Sequence, residues 1–144
     1  MTAQHRSGRP GAIRAGHYDG ALAVDEKVRV ALVVDDEPLA RHFVSAVLRR
    51  QGWSVLEAAG AAAALAMANV DPPDLLVTDY EMPDISGVDL ARQLRRLDED
   101  LPVLVISGYA DAPGSMRGLD GRTAFARKPF AIEELLSTIC SIVD

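Results

Sequence analysis

The sequence predicts a doubly wound α/β fold, a (βα)5 three-layer sandwich on a parallel five-stranded sheet of order 2-1-3-4-5. Three observations predict it. Short apolar runs alternate with segments of helical period from Val28 to Asp144, the pattern of repeated βα units. The first, third and fourth runs are continuously apolar, as strands covered by helices on both faces are. Polar residues directly follow four of the runs: Asp35-Asp36, Asp79, Ser107 and Lys128-Pro129. In a parallel sheet all strand C-termini share one edge, so these residues converge there.

The elements follow in order. Val30–Val34 is a continuous apolar strand. Residues 38–51 place Leu39, Phe43 and Val47 at i, i+4 and i+8, with Pro38 at the first turn and Gly52 past the end. Trp53–Ala58 is a short mixed strand, and the alanine-rich Ala61–Asn69 is helix-prone until Asp71-Pro72-Pro73 stops it. Leu75–Thr78 is the third strand. Ser86–Leu97 sets Leu90, Leu94 and Leu97 on one helical face, and Val103–Ile106 is again continuously apolar. Ala110–Gly121 contains Pro113-Gly114, Gly118 and Gly121, so the fourth helix is expected to be short or frayed. Thr123–Arg127 is a mixed strand, and Ile132, Leu136, Ile139 and Val143 mark a final amphipathic helix. Ser54, Glu57 and Arg127 put strands two and five at the edges. The topological switch then lies between strands one and three, where ligands of such sheets bind, and Asp35, Asp36 and Asp79 sit at that point.

Composition bounds the rest. The chain is long enough for one domain with a sizeable core, and 49% apolar with 25% charged residues is ordinary for a soluble protein. Residues 1–27 differ: Met1 to Gly20 holds four Gly, one Pro, two His and three Arg without periodicity, the composition of a disordered arm. Residues 28–144 form the domain and carry 11 basic against 18 acidic residues. That acidic balance, with no reader module after it, argues against direct DNA binding. One cysteine, Cys140, excludes an internal disulfide and a cysteine-rich metal site and suits a cytoplasmic protein; flanking the last apolar stripe, it reads as a small buried hydrophobe. No apolar stretch is long enough for a membrane span, and no apolar segment follows the N-terminal arginines as a secretory signal requires. His5, His17 and His42 lack metal-ligand spacing; His42 reads as a surface residue of the first helix.

Two carboxylates about 4 Å apart repel by roughly 4 kcal/mol at an effective dielectric near 20. Three at one sheet edge call for a cation. Oxygen-only donors favour Mg²⁺, Mn²⁺ or Ca²⁺ over zinc or copper, and Mg²⁺ needs few protein carboxylates because it keeps waters and a phosphate oxygen. A carboxylate between such a metal and an ammonium is suited to nucleophilic attack on a phosphoryl group. Lys128, the only lysine after Lys27, falls in this constellation.

The runs Val33-Val34-Asp35-Asp36-Glu37-Pro38, Asp79-Tyr80-Glu81-Met82-Pro83-Asp84-Ile85-Ser86-Gly87, Ser107-Gly108 and Lys128-Pro129-Phe130 occur in order at suitable spacings. In them the sequence resembles the receiver domain of two-component response regulators, a flavodoxin-like fold, over residues 28–144. The resemblance implies that Asp79 is the phosphoacceptor and Asp36 the direct metal-binding acid. Asp35 would be its neighbour holding metal-bound water, and the Glu81 backbone carbonyl a further ligand. Ser107 would donate to a phosphoryl oxygen, Gly108 leave room for the group, and Lys128 pair with the acyl phosphate. Phe125 matches the switch aromatic and Pro129 the family's cis position.

The implied chemistry is Mg²⁺-assisted transfer from the phosphohistidine of a histidine kinase or histidine phosphotransfer protein, with Mn²⁺ as a substitute ion. The chain would catalyse only its own phosphorylation and dephosphorylation. Its output would be a changed face of the fourth helix, fifth strand and fifth helix, read by a protein partner. The expected state is a monomer, or a weak dimer formed on phosphorylation.

Blander readings compete. Asp35 and Asp36 also suit a helix N-terminus, Asp79 suits a loop, and Phe125 suits plain core filling. The rival functions are a binding module that keeps the fold without cycling phosphate, which the intact residue set argues against, and an aspartyl phosphatase. The phosphatase would place Asp-x-Asp after strand one, whereas here the acids are adjacent and the candidate nucleophile follows strand three. Ala131 departs from the family pattern by lacking a capping side chain. Glu81 and Tyr109 stand two residues beyond Asp79 and Ser107, at positions that tune phosphoryl lifetime in the family.

Overall fold

Strands β1 (Val30–Val34), β2 (Ser54–Ala58), β3 (Leu75–Asp79), β4 (Val103–Ser107) and β5 (Thr123–Arg127) alternate with helices α1 (Pro38–Arg50), α2 (Ala61–Val70), α3 (Gly87–Arg95) and α4 (Ile132–Val143). The computed structural model describes residues 27–108 and 119–144. Nearly all of the expected arm, Tyr109 and most of the expected fourth helix lie outside the described residues. The sheet runs β2-β1-β3-β4-β5 with every pairing parallel, as the edge and centre assignments predict.

The period of two along each strand divides the core into two layers. Leu32, Val34, Leu76, Val103 and Val105 point to one face, where Ala61, Ala64 and Ala68 of α2 and Val88, Ala91 and Leu94 of α3 cover them. Ala31, Val33, Leu75, Val77, Leu104 and Ile106 point to the other, against Val44, Val47 and Leu48 of α1 and Leu135, Ile139 and Ile142 of α4. Fully burying each larger side chain contributes about 1.5–3 kcal/mol. The buried alanines of α2 recur at i, i+3 and i+7, so that helix packs closely on the sheet.

Several helical faces differ from the sequence expectation. Leu39 and Phe43 are 78% and 44% exposed, and the buried stripe of α1 is Val44, Val47 and Leu48. The overlapping apolar positions of this helix permit two stripes, and packing against β1 and β2 selects the second. In α4 the buried stripe is Leu135, Ile139 and Ile142, which leaves Ile132 exposed. Cys140, one residue past Ile139, is exposed rather than buried. Leu97 lies beyond the end of α3 and is 58% exposed. Ser86 is the cap of α3 rather than part of it, its Oγ accepting from the Asp89 N–H at 3.1 Å.

The ends have local causes. Pro38 occupies the first turn of α1, where its missing N–H costs nothing. Gly52 terminates that helix at φ +97°, a conformation L side chains resist. Ala131 offers no cap to α4, but its backbone N–H donates to Glu134 Oε1 at 2.8 Å. No helix among the described residues is long and apolar enough to cross a membrane.

Candidate functional site

The carboxyl edge of the sheet gathers the acids as expected. Asp35 follows β1 and Asp79 closes β3, its neighbour in the sheet. Asp35, Asp36 and Asp79 each present an oxygen within 4.8 Å of the others. Asp35 is 7% exposed, Asp36 is exposed, and Asp79 lies between them in burial. Lys128 Nζ approaches Asp79 Oδ1 to 3.5 Å from the end of β5. Its backbone N–H donates to the Ser107 carbonyl at 2.8 Å, so the end of β4 positions the lysine. Ser107 itself is 1% exposed at the end of β4, which neighbours β3.

Burial and mutual repulsion show in the acids' proton affinity. Asp79 is pushed up to about 6, first by burial and then by the Asp35 charge, with Lys128 pulling the other way. Asp35 is also raised by burial, against the stabilising Glu37 N–H and the Lys128 charge. Three carboxylates with one ammonium leave negative charge in excess. The donor set is oxygen only and open to solvent through Asp36, so it fits a hard divalent cation. Glu81 is exposed and shares a cleft with Asp36 and Tyr80.

Phe125 is half-buried in β5, opposite Val105 and against the core. It borders a cleft of about 580 Å³ with Lys128, Pro129 and Glu134. The Lys128–Pro129 bond is cis. His42 is on the surface, with 61% of its side chain exposed.

Sequence alone assigns no role to three residues of this edge. Gly87 opens α3 directly beneath Asp79: a Cβ there would sit 2.1 Å from the Asp79 carbonyl oxygen and 2.9 Å from Thr78 Oγ1. A glycine inside the first helical turn after a serine cap is the available signal, since helices otherwise disfavour it. Asp84, in the loop before α3, accepts from the backbone N–H groups of Ala61 and Ala62 at 3.1 and 3.3 Å. It therefore caps α2 where Gly60 has no side chain to do so. The Ile85 N–H leads the backbone donors that hold its carboxyl below the usual range. The third residue, Arg41, donates from Nη1 to the Asp35 carbonyl at 2.7 Å, a contact no sequence spacing reveals.

Residues 31–140 match the family model of the response regulator receiver domain. The chain belongs to the response regulator receiver family. Within it, the receiver is 39% identical over 113 residues to the response regulator MprA of Mycobacterium avium, covering 78% of this chain and 50% of that protein. It thus spans about half the length of the curated relatives it matches. Among solved structures it is similar to a CheY-like receiver protein of Methanospirillum hungatei, with TM-score 0.74 at 26% identity, covering 82% of this chain and 95% of that one. The response regulator TrrA of Thermotoga maritima, solved in complex with Mg²⁺-BeF, matches with TM-score 0.72 at 26% identity over 80% of this chain and 99% of that one. The receiver's flavodoxin-like architecture is common to these structures.

Proposed function

We propose that this receiver accepts a phosphoryl group on Asp79 from the phosphohistidine of a histidine kinase or histidine phosphotransfer protein. The observation that carries the proposal is the convergence of Asp35, Asp36 and Asp79 within 4.8 Å beside Lys128. An Asp79 carboxylate oxygen attacks phosphorus, forming the O–P bond of an acyl phosphate. The P–N bond to the donor imidazole breaks, and its electron pair stays on that nitrogen. Mg²⁺, held by Asp36, Asp79 and the Glu81 carbonyl with Asp35 beside them, would supply charge neutralisation during transfer, and Mn²⁺ would substitute.

The chain's own residues do the rest. Lys128 moves its pairing from the carboxylate to the new phosphoryl oxygens, and Ser107 donates its hydroxyl to one of them. Both sit at the ends of β4 and β5, so the added charge pulls on these two strands. Phe125 turns toward the core as they shift. The face of β5 and α4 changes shape for a protein partner. Direct DNA contact is no part of this reading, and the chain acts only on its own phosphoryl group, which water removes from Asp79 to close the cycle.

The test is transfer from a radiolabelled, phosphorylated histidine kinase. Label is expected to leave the kinase and appear on this chain with millimolar Mg²⁺, and to stay on the kinase in EDTA. Transfer undiminished by EDTA would contradict the metal requirement.

A further inference from the structure

The acid pair is held from behind by the edge strand β2. The Asp35 N–H donates to the Ala58 carbonyl at 3.1 Å, and Asp35 Oδ1 accepts from the Glu37 N–H at 3.0 Å. The Asp35 carbonyl accepts from Arg41 Nη1 at 2.7 Å. That carbonyl belongs to the peptide joining Asp35 to Asp36, so fixing its oxygen fixes the plane from which both acids project.

Arg41 is in turn aimed by Glu57. Its Nε donates to Glu57 Oε1 at 3.2 Å, and the two side chains are only 16% and 20% exposed. Glu57 stands in β2 opposite Val33, two residues before Asp35. A planar guanidinium can span a carboxylate and a carbonyl at fixed angles, which a single ammonium cannot reproduce. Arg49 Nη1 also reaches Glu57, at 3.2 Å, but its Nη2 donates to the Val55 carbonyl at 3.3 Å, away from the acids. It shares Glu57 with Arg41 without sharing the contact to the acid pair.

We infer that Arg41, oriented by Glu57, is a positioning residue for the divalent cation: it sets the Asp35–Asp36 peptide and so the angle at which both carboxylates meet the metal. The contact is to a backbone carbonyl, so it orients the acids rather than pairing with their carboxylates. Partners that orient ligands from outside typically change metal affinity by about 10- to 100-fold when removed. This inference rests on the proposed metal-dependent function.

The test measures Mn²⁺ affinity by electron paramagnetic resonance, with no phosphodonor present, beside a thermal melt for each variant. Arg41→Met is expected to weaken Mn²⁺ binding about tenfold. Arg41→Lys keeps the charge and serves as the variant that folds if the first does not; it is expected to weaken binding by more than about threefold. Arg49→Met is the control and is expected to bind within about twofold of wild type. An Arg41→Lys protein that binds as wild type does would overturn the inference, as would an equal loss in Arg49→Met. Wild type that binds no Mn²⁺ would instead remove the metal-dependent reading itself, and this inference with it.

Discussion

Gly87→Ala is expected to destabilise the protein by about 3 kcal/mol, the upper part of the usual range for overpacking, and to suppress phosphorylation of Asp79. Helix propensity alone predicts the opposite, because alanine is favoured over glycine by about 1 kcal/mol inside a helix. Sterics decide the sign. The new Cβ would lie 2.1 Å from the Asp79 carbonyl oxygen and 3.0 Å from its carbonyl carbon, and neither is the end of a flexible side chain. The backbone of Gly87 is held at that distance by its N–H, which donates to the Tyr80 carbonyl at 2.8 Å. Either α3 lifts from the sheet, losing cover over Leu76 and Val105, or the end of β3 shifts and carries the Asp79 carboxylate with it. Urea denaturation and a phosphorylation time course check both effects. A variant as stable as wild type and phosphorylated at the same rate would show that the helix start yields without cost.

Asp79→Asn is expected to stabilise the metal-free protein at neutral pH. The Asp79 carboxyl is raised from 3.8 to about 6 in the fold, so the folded chain holds its proton more tightly than the unfolded chain. The stabilisation this provides is fully present below the unfolded value and is lost as pH rises through about 6. At about pH 7.5 the wild-type carboxylate therefore carries its whole penalty, up to about 3 kcal/mol for a shift of this size. Asparagine removes the charge and nearly keeps the shape. The advantage of the variant, measured by urea midpoint in EDTA, should be largest at about pH 7.5 and should shrink as pH falls toward about 4. Millimolar Mg²⁺ should narrow it at neutral pH, because a ligand that binds only the native wild type stabilises it. An advantage independent of pH would contradict the burial and repulsion assigned to Asp79.

The sheet order was legible because burial on two faces and on one leave different marks: Val30–Val34 and Val103–Ser107 are wholly buried, while β2 and β5 carry Glu57 and Arg127. The site was legible for a topological reason. Asp35, Asp79, Ser107 and Lys128 are far apart in sequence, but parallel strands must bring their ends together. Helical faces were less legible. In α1 the stripe through Leu39, Phe43 and Val47 and the stripe through Val44, Val47 and Leu48 are both helical, and only the sheet's position separates them. The same ambiguity put Ile132 and Cys140 on the wrong side of α4. Gly87, Asp84 and Arg41 act through backbone atoms of Asp79, Ala61 and Asp35. Side-chain chemistry read along a sequence does not show which main-chain atoms another residue will reach.

The most direct test of the central claim is intact mass after incubation with Mg²⁺ and acetyl phosphate, with wild type beside Asp79→Ala. One phosphoryl group on wild type and none on the variant is the predicted result. Equal phosphorylation of the two proteins would place the acceptor elsewhere and contradict the assignment of Asp79. No addition to wild type, from acetyl phosphate or from a phosphohistidine donor, would contradict phosphoryl transfer and leave a receiver that acts by binding alone.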